Sequence, residues 1–99
     1  MRTLLKACLD TTAGNKAIQN GTINKVLGQT VERIHPEASF FATENGKRTA
    51  FFVFDLKEVS NIPAIAEPFF IELGAEVTFT PCMNADELQK GIQTWQANK

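Results

Sequence analysis

The sequence has few of the residues that usually announce chemistry. Its 99 residues include one histidine, His35, and two cysteines, Cys8 and Cys82. These are too few and too far apart for a clustered metal site or a Cys-x-x-Cys redox pair. No metal and no cofactor is expected, and both thiols are expected to be buried and free. Long apolar runs are also missing. The stretches around Phe51 and Phe69 are cut by charge well short of the about 20 residues that span a bilayer, so no membrane partner is expected. Lys6 and Asp10 interrupt the apolar stretch after Arg2, which argues against a secretory leader and for a cytoplasmic protein. Charge of one sign is not in excess either: ten Lys and Arg face eleven Asp and Glu, a net charge of −1. A surface built on basic excess for nucleic acid is therefore not expected. Neither a Gly-rich phosphate loop nor an Asp-His-nucleophile order can be found.

Phenylalanine, by contrast, is abundant, and its placement is the strongest signal in the chain. Phe40 and Phe41, then Glu44-Asn45-Gly46-Lys47-Arg48, then Phe51, Phe52 and Phe54 read as a β-hairpin. Asn-Gly is the dipeptide best able to take positive φ at both central turn positions. With 43% hydrophobic and 21% charged residues, the chain belongs among soluble globular proteins, with residues 1–99 forming one domain around one core.

Around the hairpin the other elements follow from spacing. Thr3–Leu9 alternates as a first strand, and Thr11–Asn15 is a turn-rich link. Val26, Leu27, Val31 and Ile34 then recur at helical intervals in a helix whose start falls between Asn15 and Thr22. It ends at His35, because Pro36 cannot continue it. The hairpin strands are Ala38–Thr43 and Thr49–Leu56. A second helix, Asn61–Leu73, is capped by Ser60 or Asn61, carries Pro63 in its first turn and stops at Gly74. Pro68 lies well inside it, so a kink or a break is expected, with a carbonyl near Ala64 left without its helical partner. Glu76–Met83 alternates as a fourth strand. Asn84 and Glu87 then make a capping-box start to a terminal helix with Leu88, Ile92 and Trp95 on one stripe.

The order βαββαβ plus a C-terminal helix predicts an α+β, ferredoxin-like fold: a four-stranded antiparallel sheet, both long helices on one face, and the first strand between the third and the fourth. The helices then cover Leu5, Ala7, Leu9, Ala50, Phe52, Phe54, Val77 and Phe79. The opposite, open face carries Leu4, Lys6, Cys8, Phe51, Val53, Asp55, Glu76, Thr78, Thr80 and Cys82, with Phe41 beside them. Such a face is too apolar to stay wet, and a homodimer is the expected remedy.

Pro36-Glu37-Ala38-Ser39-Phe40-Phe41, Glu44–Thr49, Ile62–Phe70 and Pro81-Cys82-Met83-Asn84 resemble corresponding stretches of a family of short bacterial proteins of uncharacterised function, over nearly the whole chain. The resemblance implies a dimeric α+β barrel, in which two sheets pack open face to open face. That class includes cofactor-free monooxygenases, isomerases, haem enzymes and proteins without known activity, so a dimer is implied more firmly than a reaction.

Candidate ligand-binding residues follow from the open face: Lys6, Phe51, Asp55, Thr78 and Thr80. A lysine on a central strand facing a partly apolar space can hold an anionic ligand or lose basicity. The competing expectation is that it pairs with Asp55 or Glu76, or reaches water along its stem. The threonines offer hydroxyls but are also ordinary strand formers. His35 at a helix C-terminus suits a capping role. Glu67, before Pro68, is expected to be a solvated helix-face glutamate, with a part in a pocket as the rarer outcome. The basic first helix (Lys16, Lys25, Arg33) and the acidic second (Glu58, Glu67, Glu72, Glu76) are expected to attract one another weakly.

The commonest RNA-binding module shares this element order, but here Arg48 and Thr49 stand where it needs a glycine and a stacking aromatic, and only Phe51 is left to stack. Nucleic acid is not an expected partner. The leading expectation is a homodimer that binds a small organic molecule between its sheets. Whether it is an enzyme stays open; an enzyme of this kind would carry out proton transfer or cofactor-independent oxidation of an activated substrate. The alternative is a non-catalytic structural or protein-interaction module whose intersheet space is filled.

Overall fold

Two adjacent residues with positive φ, Asn45 (54°) and Gly46 (77°), reverse the chain between its Phe-rich strands, the conformation for which Asn-Gly is suited. The computed structural model describes residues Met1–Lys99. The hairpin is made of β2 (Ala38–Glu44) and β3 (Lys47–Asp55). With β1 (Arg2–Cys8) and β4 (Glu76–Pro81) it forms a four-stranded antiparallel sheet in the order β2-β3-β1-β4. This places β1 between β3 and β4, as expected, and the fold is α+β and ferredoxin-like.

The link between β1 and the first long helix departs from expectation. Thr11–Gln19 is not a turn-rich link but a helix, α1. Asp10 caps it, accepting a hydrogen bond from the Ala13 amide at 2.9 Å, an ordinary N-cap in which a carboxylate takes up an orphan donor. Gly21, at φ 80°, then separates α1 from α2 (Thr22–Ile34), so one expected helix is two. Gly14 of α1 is buried because Arg48 reaches across from β3, its guanidinium 2.9 Å from where a Cβ would stand. Arg48 also donates to the Asn15 side chain at 2.9 Å. His35 terminates α2 with φ 45°, its amide donating to the Val31 carbonyl at 3.0 Å.

After β3 a single 3-10 turn, Val59–Asn61, leads into α3 (Ile62–Leu73), and Asn61 occupies the cap position without a side-chain hydrogen bond. The helix is not broken at Pro68 but runs through it. Pro68 has no amide hydrogen for the Ala64 carbonyl, and Ala64 is exposed, so water can take the vacant acceptor. Gly74, at φ 56°, ends α3. The helices α1, α2 and α3 pack on one sheet face around Leu5, Phe52, Phe69 and Leu73, each wholly buried. Burying a large side chain completely is worth about 1.5–3 kcal/mol, so these four residues anchor the layer.

The last helix, α4 (Ala85–Ala97), stands outside this layer. Asn84 and Glu87 complete its expected capping box, but no residue of α4 is buried. The molecule is correspondingly long, 55 × 28 × 18 Å, with a radius of gyration of 15.8 Å. A compact chain of this length has a radius of about 13 Å.

Candidate functional site

Strand alternation decides which side chains share the face that the helices leave open. On β1 these are Arg2, Leu4, Lys6 and Cys8, all half-buried, whereas Thr3, Leu5 and Ala7 point into the core. Lys6 lies directly between Phe51 of β3 and Thr78 of β4. The next rung holds Val53, Leu4 and Thr80. Four of the five expected site residues, Lys6, Phe51, Thr78 and Thr80, therefore occupy two neighbouring rungs. Asp55 lies at the end of β3, opposite Arg2.

The hairpin register corrects one placement. Phe40 pairs with Phe51, while Phe41 pairs with Ala50, so Phe40 is the aromatic of the open face. Phe41 belongs to the helix side, where its ring meets Phe52 edge to face at a centroid distance of 5.8 Å. The expectation for Phe41 was off by one residue, and with a side-chain period of two that changes the face. Phe40 remains 67% exposed.

Lys6 is ion-paired, but with neither Asp55 nor Glu76. Its Nζ donates to Glu44 Oε1 at 2.5 Å, from β1 across the width of β3. That hydrogen bond, with the nearby carboxylate charge, holds the lysine above its ordinary pKa. The partner was legible in principle: with Asn45-Gly46 as the turn, alternation back from Glu44 through Ala42 to Phe40 puts all three on one face. Asp55 is held instead by the N-terminal ammonium of Met1 at 2.6 Å, which lowers its carboxyl pKa below the usual aspartate range. Arg2, which sequence reasoning passed over, joins three segments. Its Nε donates to Glu37 at 2.8 Å, and its Nη1 pairs with Glu87 in the first turn of α4. These carboxylates raise its pKa further.

Several concave regions lie elsewhere. One of about 530 Å³ opens where α2 ends and α3 begins, among Arg33, His35, Asp55, Lys57 and Asn61. An apolar groove of about 390 Å³ runs between α2 and the hairpin, flanked by Leu27 and Phe41. Asp55 borders the first; Lys6, Phe51, Thr78 and Thr80 border neither. Glu67 and Pro68 line a smaller groove, about 250 Å³, together with Lys25. No direct ion pair links the basic and acidic helices.

The class defined by this architecture is a small α+β domain of ferredoxin-like topology with one bare, mixed apolar and polar sheet face. No family model matches the chain, and neither a curated protein nor a solved structure does.

Proposed function

We propose that the protein works as a cytoplasmic homodimer of the α+β barrel type, holding a small organic molecule between two open sheet faces. The supporting observation is the composition of that face. Leu4, Phe51 and Val53 are half-buried and Phe40 is exposed, around a charged pair and two threonine hydroxyls. An apolar floor with a few convergent polar groups is the usual make-up of a small-molecule site. Lys6, Phe51, Thr78 and Thr80 then line the ligand, and Asp55 stands at the rim. The resemblance to short bacterial proteins of the dimeric barrel class supports the same assembly.

One observation favours a second reading. The Lys6 ammonium already has Glu44 as its partner, so two such faces could close on one another as a filled interface in a structural or protein-interaction module. Light scattering separates dimer from monomer at micromolar concentration, and Phe51→Asp should disrupt the dimer by placing a charge in its interface. A monomeric parent removes the barrel. Given a dimer, native mass spectrometry of gently purified protein decides between the readings: a bound organic mass, lost in Lys6→Met, supports the ligand site, and its absence favours the filled interface.

A further inference from the structure

We propose that the groove between α2 and the hairpin binds a small amphipathic carboxylate, whose head group meets Arg48 and whose apolar body lies along Ile23, Leu27 and Phe41. This site is on the helix side of the sheet and stands independently of the open-face assembly proposed above. It begins at an edge that the helices do not cover. Phe41 is on the helix side yet 60% exposed, while Ile23 and Leu27 of α2 are half-buried against the core. Between them lies the groove of about 390 Å³, with the buried Leu9 and Ala50 in its lining. Sites for small molecules commonly have volumes of roughly 300–1,000 Å³, an apolar lining and a few placed polar groups.

The charged group at this groove is Arg48, which is half-buried and has no counter-charge. None of the residues lining the groove is acidic, and Arg48 takes part in none of the ion pairs of the protein. Strand register explains why. Thr43 stands directly opposite Arg48, in the position from which a cross-strand carboxylate would neutralise it. Glu44 is one residue further on and therefore on the other face, where it holds Lys6.

The guanidinium is nevertheless held in place. It donates to Asn15 Oδ1 at 2.9 Å and packs over Gly14, where an added Cβ would stand 2.9 Å from it. Glycine is unfavourable inside a helix, and here it makes the room that seats the cation. A guanidinium carries several N–H donors in a planar fork that matches a carboxylate, so the bond to Asn15 leaves donors for a ligand. One fixed cation beside an apolar wall suits a monoanion with an apolar body. The carboxylate supplies the missing charge, and the body covers Phe41.

The test titrates the isotope-labelled full chain with octanoate, phenylpropanoate and octanol, and follows backbone amide and arginine Nε–H shifts by NMR. The expected result is saturable shifts at Ile23, Leu27, Phe41 and the Arg48 Nε–H with a carboxylate, and binding of octanol about tenfold or more weaker than that of octanoate. Tighter binding of octanoate assigns an aliphatic body and tighter binding of phenylpropanoate an aromatic one; either supports the site. Arg48→Met should reduce octanoate binding to the level of octanol. Thr43→Glu, at an exposed position, should do the same by giving Arg48 a carboxylate of its own, and it decides the matter if circular dichroism shows Arg48→Met unfolded. Octanoate affinity unchanged in Thr43→Glu, octanol bound as tightly as octanoate, or shifts confined to the open sheet face or to α4 would each overturn the site. So would the absence of saturable shifts up to about 10 mM of either carboxylate.

Discussion

Lys6 on the central strand reaches across β3 to Glu44 at the end of the hairpin strand, Nζ to Oε1 at 2.5 Å. Both side chains keep more than a third of their surface exposed, so the pair is screened by solvent and salt. Lys6→Met and Glu44→Gln should each lower the melting temperature only slightly, and added salt should shrink both effects. Their coupling in a double-mutant cycle should be measurable at low salt. A large loss for Lys6→Met alone, undiminished by salt, would show a carboxylate buried beneath the lysine and contradict this geometry.

Asp55 supplies a pH-dependent contribution of known sign. Its folded pKa is depressed, chiefly by the hydrogen bond from the Met1 ammonium and then by that charge. The stability it contributes is therefore fully present above the unfolded value of about 3.9 and is lost as pH falls through the lower folded value. Side-chain NMR titration should place the Asp55 midpoint below the ordinary aspartate value. Acetylating the terminal amine should move it back up; a midpoint indifferent to acetylation would mean the ion pair does not hold Asp55.

Cys8 and Cys82 should both remain thiols. Cys8 lies opposite Glu76, whereas the Cys82 amide donates to the Arg2 carbonyl at 3.1 Å at the far end of β1. Six residues of strand, about 20 Å at about 3.3 Å each, separate the two positions. A disulfide requires α-carbons about 4.4–6.8 Å apart. Alkylation of the unreduced, denatured protein should add two groups by intact mass. A mass two hydrogens short with no alkylation would contradict the register.

Pro68 is the least favourable residue within a helix of this chain. Substitution by alanine restores a donor to the Ala64 carbonyl and removes the ring from the preceding turn. The helical penalty of about 3 kcal/mol is partly offset by the smaller entropy of a proline-containing unfolded chain, up to about 1 kcal/mol. Pro68→Ala should therefore stabilise the protein by about 1–2 kcal/mol in urea denaturation. Equal or lower stability would mean that the ring's packing beside Lys25 and Val26 of α2 outweighs the lost hydrogen bond.

Local rules were enough to determine much of this protein from the sequence. Asn45-Gly46 set the hairpin turn because its residues tolerate positive φ. Alternation in β1 and β3 separated Leu5 and Phe52 from Lys6 and Phe51, because successive strand side chains point to opposite faces. Asn84 and Glu87 marked the start of α4. The cap at Asp10 carried the same kind of signal for α1, but Thr11, Thr12 and Gly14 mask it by resembling a turn. What only the tertiary structure decided was long-range. Glu44, not a carboxylate nearer in register, meets Lys6 because a long flexible stem can cross a neighbouring strand. Arg48 fills the space over Gly14, and Arg2 ties β1 to α4. Phe41 lies on the helix side and Phe40 on the open face, because a shift of one residue inverts a strand. The apolar stripe of α4 was visible in the sequence, but that its own chain leaves it uncovered depended on the direction in which the capped helix departs, which no periodicity encodes.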